Sequence, residues 1–360
     1  MMRNTLYKGL AAAALGLAVW SAHAAQPPAS LGKRLAEGYA RPAFDSLKTN
    51  ASGLQQALKN WCERDDAAGA KRVAEAYAAT VQAWSGVEFL RFGPLVQGNR
   101  YERLAFWPDT RGVVLRQVQE ALAKRDEALL APGALASRSV AVQGLPALEF
   151  VLYRDGGVLQ SRDAQHFAYE CRYAQALATN VGAIAGELAQ AWSAQGDFGR
   201  QFAEPAAGND LYRNSQEVAA EAVKALSTGA QFARDVKLLP VLGDAAADAK
   251  PRRAAFWRSN QTVPSLAAGL DGMGAWAGQL TEALPPDGRW AGQAVREELG
   301  RARQALNDAS QPIEKAVADE NARRALTLAA LVLKNAKDIT DQDLAAAYGV
   351  VIGFNALDGD

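Results

Sequence analysis

Two carboxylates and one guanidinium occupy positions where a helical sequence would ordinarily place apolar side chains. In the stretch Ser139–Tyr153, SVAVQGLPALEFVLY, Glu149 is the one charged residue of an apolar run. Pro146 suits the first position of a helix, where its missing N–H costs nothing. That start would put Glu149 in the first turn, where the helix dipole stabilises a carboxylate by ~0.3–1 kcal/mol. Glu88 and Arg91 lie four and seven residues past Trp84, so they extend an apolar stripe instead of a solvent face. A charge on such a stripe must be paired or line a cavity, because burying it alone is costly. Two readings stand side by side: a Glu88–Arg91 interhelical salt bridge, or a pair lining a site between helices. Asp109 follows the Trp107-Pro turn and could face the same site.

Other chemistries lack their residues. There is no Gly-rich phosphate loop after a strand, no Gly-x-Ser-x-Gly elbow, no Cys-x-x-Cys and no His-Glu-x-x-His. His23 and His166 are the two histidines, and His23 falls in the leader described below. The usual zinc ligand sets therefore cannot be assembled. His166, beside Asp163 near the start of a long helix, is read as a polar helix-start residue.

The elements that must position these groups are helices. Phe44, Leu47, Ala51, Leu54, Leu58 and Trp61 recur at three- and four-residue steps, and Val73, Tyr77, Val81 and Trp84 repeat the pattern. A third stripe runs from Phe167 through Cys171, Ala174, Ala178 and Val181 to Trp192. Further periodic segments cover Asn209–Leu239, Arg253–Leu284, Ala291–Val317, Ala322–Lys337 and Gln342–Phe354. Strand signals are scarce, so the expected fold is all-α, two packed antiparallel helical bundles. The Pro/Gly-rich loop near Glu204–Gly208 divides them, giving bundles over residues 25–204 and 205–360. Ala105-Phe-Trp107 and Ala255-Phe-Trp257 each follow an arginine two positions earlier, a faint echo that reads as chance because other matches have a different offset.

Residues 1–24 read as a cleaved signal peptide. Arg3 and Lys8 precede the apolar run Gly9–Trp20, and Ala22-His-Ala24 supplies a small-x-small cleavage site. The run is 12 residues, short of the ~20 that span a bilayer. No cysteine follows it, so no lipid anchor is expected, and the mature chain is expected in the periplasm without a membrane span. The whole chain carries 39 Lys+Arg against 39 Asp+Glu, dispersed, which offers no footprint for nucleic acid. Cys62 and Cys171 are the only cysteines. An oxidising compartment favours their pairing as a disulfide, two buried free thiols being the alternative.

Gly144-x-Pro146-x-x-Glu149 resembles the imelysin signature Gly-x-His-x-x-Glu, with proline where the histidine would stand. Val87-Glu-Phe-Leu-Arg-Phe-Gly-Pro94, Phe106-Trp-Pro-Asp109, Phe256-Trp-Arg-Ser259 and the ending Gly353–Asp360 fit the same family, the M75-type peptidases. The resemblance implies two helical bundles with a site where they meet, and an envelope protein linked to iron uptake. Gly144 and Glu149 carry over from the signature; the histidine role has no occupant, since proline offers no side-chain donor or acceptor. A hard cation could still be held by Glu149, Glu88 and Asp109, because iron(III)-like ions favour oxygen ligands. The expected function is a periplasmic binding protein in iron or other metal acquisition. Its partner would be a metal ion or an envelope protein, and its site Gly144, Glu149, Glu88, Arg91 and Asp109. A metallopeptidase and a partner-binding structural protein are the alternatives.

Overall fold

The computed structural model describes residues 26–64, 68–160, 162 and 164–353. The leader read at residues 1–24 and all but the first residue of the Gly353–Asp360 motif lie outside them. Among the described residues every regular element is helical and none is a strand. None of the helices is long and apolar enough to cross a membrane.

The first half is built on α1 (Arg41–Glu63), α2 (Gly69–Val87), α3 (Val113–Lys124), α4 (Gly144–Tyr153) and α5 (Ala164–Trp192). α1 packs between α2 and α5, and α4 lies against α5. The stripe Phe44–Trp61 of α1 is buried throughout, as are Val73, Tyr77, Val81 and Trp84 of α2. At one end Phe44 stacks on Trp192 at 5.7 Å between ring centroids, and Phe198 and Phe202 meet the same indole edge-on. Cys62, at the end of α1, is bonded to Cys171 on α5, with Cα atoms 5.7 Å apart.

The second half comprises α6 (Ser215–Gln231), α7 (Thr262–Ala283), α8 (Arg289–Asp308) and α9 (Glu320–Ile339). α8 packs between α7 and α9, and α6 lies on α9. The halves are joined by α7 lying along α2, and one continuous set of buried apolar residues runs through both. Small residues allow the close approach at this seam: Gly272 of α7 faces the backbone of Gly86, and Tyr39 donates its hydroxyl to the Gly86 carbonyl at 2.5 Å.

The helical segments expected from periodicity break in three places. The segment read as Arg253–Leu284 begins its helix only at Thr262, with Pro264 in the first turn, the part of a helix that tolerates proline. Residues 254–261 instead form an irregular loop with Phe256 and Asn260 at positive φ. The segment Asn209–Leu239 starts at Ser215, capped by the Asn214 side chain, and widens into a π-helix over Phe232–Leu238. Pro240 lacks the N–H that would bond the Val236 carbonyl in an α-helix, which favours a change of pitch there. In the third, Ala291–Val317, the helix stops at Asp308 and resumes as a short turn over Ile313–Ala316, with Pro312 between.

The Cys62–Cys171 bridge closes a loop of 109 residues. On the chain-entropy model such a loop contributes about 4–5 kcal/mol. The variant carrying Cys62→Ser and Cys171→Ser is expected to unfold at a markedly lower urea midpoint than the oxidised protein. Alkylation of unfolded, unreduced wild type should label no thiol; two labelled cysteines would contradict the pairing.

Candidate functional site

A cleft of about 640 Å³ opens where the first half meets the loop and π-helix of the second. Its floor holds Glu149, Glu88, Lys237, Tyr101, Phe150 and Phe256, all buried. Half-buried Phe106, Trp107, Trp257 and Arg258 form the walls, and Arg252 and Arg253 stand exposed at the rim. Both Ala-Phe-Trp tripeptides therefore line one cavity, the first from the turn after the short helix Arg100–Leu104, the second from the loop before α7.

Glu149 is 4 % exposed. It sits in the second turn of α4, because the helix already begins at Gly144, so the helix-start explanation for this carboxylate does not hold. Its partner comes from the other half: Ser259 donates its amide N–H (2.9 Å) and its hydroxyl (2.7 Å) to Glu149 Oε1 across 110 residues of sequence. The left-handed turn at Phe256 belongs to the loop that presents Ser259 in this way. Burial pushes the Glu149 carboxyl above its usual range, against the opposing pull of the Ser259 hydroxyl and amide and of the Arg258 charge. The phenols of Tyr77 and Tyr153 are also pushed up, first by burial and then by the Glu149 charge. Tyr77 donates to the Leu145 carbonyl at 3.1 Å and fixes the first turn of α4.

Gly144 serves the same helix through its backbone. Its φ is +80°, and a Cβ there would lie 2.5 Å from the carbonyl oxygens of Arg103 and Leu104. The glycine lets α4 abut the end of the helix Arg100–Leu104, and so positions the Phe106–Trp107 wall.

Glu88 is the residue following α2, 7 % exposed, and its partner is not Arg91 but Lys237 of the π-helix, at 2.7 Å. Arg91 lies instead between the rings of Tyr101 and Phe232, 3.9 Å from each centroid. It borders a small void behind the cleft, together with Glu88 and Lys237, and does not line the cleft itself. Asp109 faces the cleft but is spent on structure: its two oxygens accept the backbone N–H groups of Val113 and Val114 at 2.8 and 2.7 Å, capping α3. Thus Glu149, Glu88 and Asp109 share one cavity, yet each carboxylate has its own partner. Among the described residues no three His, Cys, Asp or Glu side chains are grouped to hold a metal ion. His166 is exposed and lies 3.5 Å from an Arg125 nitrogen, outside the lining of the cleft.

Sequence reasoning missed Lys237, Arg258 and Ser259 as site residues. Pro264 was the available signal for the last two: it bars a helix starting at Arg253 and so marks the preceding stretch as loop.

The raised Glu149 pKa sets a pH dependence. The folded chain holds this proton more tightly than the unfolded chain, so the group's contribution to stability falls as pH rises from 4.5 through the folded value. Glu149→Gln keeps an acceptor for Ser259 without the ionisation. The stability of the glutamine variant relative to wild type should therefore increase from about pH 4.5 to about pH 8, measured by urea unfolding. A difference flat in pH would contradict the burial argument. For the backbone, Gly144→Ala should cost ~2 kcal/mol or more, while Gly98→Ala, at φ +60° with nothing within 4 Å, should cost ~1 kcal/mol from its dihedral alone. Equal losses in the two melting curves would show that the close approach at Gly144 is not tight.

The family model for imelysin, peptidase M75, matches residues 40–342. An imelysin-like protein from Psychrobacter arcticum has a similar structure, with a TM-score of 0.71, 19 % identity, and coverage of 92 % of this chain and 100 % of that one. A protein from Parabacteroides distasonis, named as an iron-regulated protein A precursor, gives a TM-score of 0.70 at 12 % identity over 88 % of this chain and 95 % of that one. At these identities the likeness is one of fold. A search of curated proteins found no match. The family model spans most of the chain and the fold agrees with it along nearly its whole length: the chain belongs to the imelysin family.

Proposed function

We propose that the protein is an exported binding component of the cell envelope that takes a small ligand into the cleft between its halves. The observation that carries this reading is the cleft itself. About 640 Å³ lies within the usual range for small-molecule sites, and its lining combines aromatic walls with a few fixed polar groups. Export rests on the leader read at residues 1–24, and the disulfide is in keeping with an oxidising compartment. A link to iron or other metal acquisition is supported by the name carried by the Parabacteroides distasonis relative.

The donor set does not fit a bare metal ion. Freeing Glu88 would leave Lys237 as a buried unpaired charge, at a cost of ~3–5 kcal/mol. Freeing Asp109 would uncap α3, at ~1 kcal/mol. A metal cargo would therefore have to arrive with ligands of its own, and the cleft would read those ligands.

Two measurements test this. Calorimetric titration of the purified protein with iron, zinc, calcium and copper salts should show no stoichiometric binding; tight binding weakened by Glu149→Gln would overturn the reading of the donor set. A thermal-shift screen of small molecules should find compounds that stabilise wild type, by ~2.7 kcal/mol at one hundred times Kd, but not Phe106→Ala, which removes part of the wall. No stabilising compound, or equal shifts in both proteins, would count against a cleft ligand.

A further inference from the structure

The polar groups lining the cleft are not all used by one another. Each carboxylate is answered: Glu88 by Lys237, Asp235 by Arg234, Asp109 by two amides and Glu149 by Ser259. On the cationic side, Lys237 is taken by Glu88, and Arg252 reaches out to Glu314 at 3.1 Å. Arg253 and Arg258 remain. Among the described residues neither forms an ion pair, and neither donates a side-chain hydrogen bond to a protein acceptor.

Arg258 is the inner of the two. Its guanidinium lies over the rings of Trp257 and Phe150, at 4.4 and 5.2 Å, so aromatic faces hold it in place while its N–H donors remain unused. A half-buried guanidinium with idle donors is a recognition element for a planar anion, since its fork matches a carboxylate in two parallel hydrogen bonds. Burial lowers the Arg258 pKa against the opposing pull of the Glu149 charge, and an incoming anion would relieve what remains of that cost. Arg253 repeats the charge at the rim. In the same lining, Phe106 is half-buried and stacks on no aromatic ring among the described residues, which leaves apolar surface for a ligand's body.

We propose that the cleft binds an aryl carboxylate, with the carboxylate on Arg258, Arg253 at the rim, and the ring against Phe106 and Trp107. The proposal deepens the preceding reading of the cleft as a ligand site and rests on it. A single negative charge is the better match than a dianion, because one inner guanidinium has free donors, while Glu149, whose charge already acts on it, and Asp109 line the same space.

The test compares 1-naphthoate with the neutral 1-naphthalenemethanol by calorimetry on the full mature chain. In wild type the acid should bind at least ~10-fold more tightly, the scale of one charge-assisted bidentate contact. In Arg258→Gln that gap between acid and alcohol should close, and Arg258→Lys should restore only part of it. Equal affinities in wild type, or a gap that survives Arg258→Gln, would overturn the proposal and leave the cleft as a neutral ligand site. If neither compound binds, the aryl-carboxylate assignment is overturned, and the thermal-shift screen decides the cleft reading separately. Should Arg258→Gln fail to fold, wild type decides alone. Rising salt should then weaken the acid and spare the alcohol, and parallel behaviour would overturn the assignment.

Discussion

A buried carboxylate that accepts two hydrogen bonds from a distant part of its own chain constrains everything around it. Glu149 leaves water on an apolar helix of the first half, and the groups that compensate it, the Ser259 amide and hydroxyl, belong to a loop of the second half. A buried polar group left without its partner costs about 1–3 kcal/mol, so both sides of this contact are held to a narrow geometry. Helix α4 must present Glu149 at one depth, and the loop before α7 must reach it.

Much of the local irregularity serves that meeting. Gly144 at φ +80° lets α4 begin hard against the helix Arg100–Leu104, and the Tyr77 hydroxyl pins its first turn. Phe256 and Asn260, both left-handed, turn the chain before Pro264 allows α7 to start. The wider helical turn over Phe232–Leu238 carries Lys237 to Glu88, another buried polar contact between the halves. The cleft is the space enclosed by these fixed points. Much of its aromatic lining comes from two tripeptides of the same sequence, one in each half, which meet in one cavity without needing any regular repeat.

The helical architecture was legible because burial there follows local rules. The stripe Phe44–Trp61 lies along one face at three- and four-residue steps, and every member is buried. Gly144 and Glu149 were legible through a short signature and one charged residue in an apolar run. The site was less so, since its pairings are set by tertiary approach. For Glu88 the sequence left two readings, a salt bridge with Arg91 or a shared site between helices, but the buried cation that reaches it is Lys237, brought by a change of helical form that no periodicity encodes. Asp109, read as a site carboxylate, is consumed by the first amides of α3, a role that the glycine and two valines after it could have suggested. The Phe256–Ser259 stretch stood out as a family feature without a role, because its partner lies 110 residues earlier in the chain.

The Glu149–Ser259 contact holds the cleft's second wall in place. Hydrogen exchange, followed peptide by peptide in wild type and in Glu149→Ala, measures it most directly. Loss of the carboxylate should release protection over residues 254–261 while α7 and the α1–α5 packing keep theirs. Unchanged protection of that loop would mean that it is held by other contacts, and that Glu149 is buried there without organising the site.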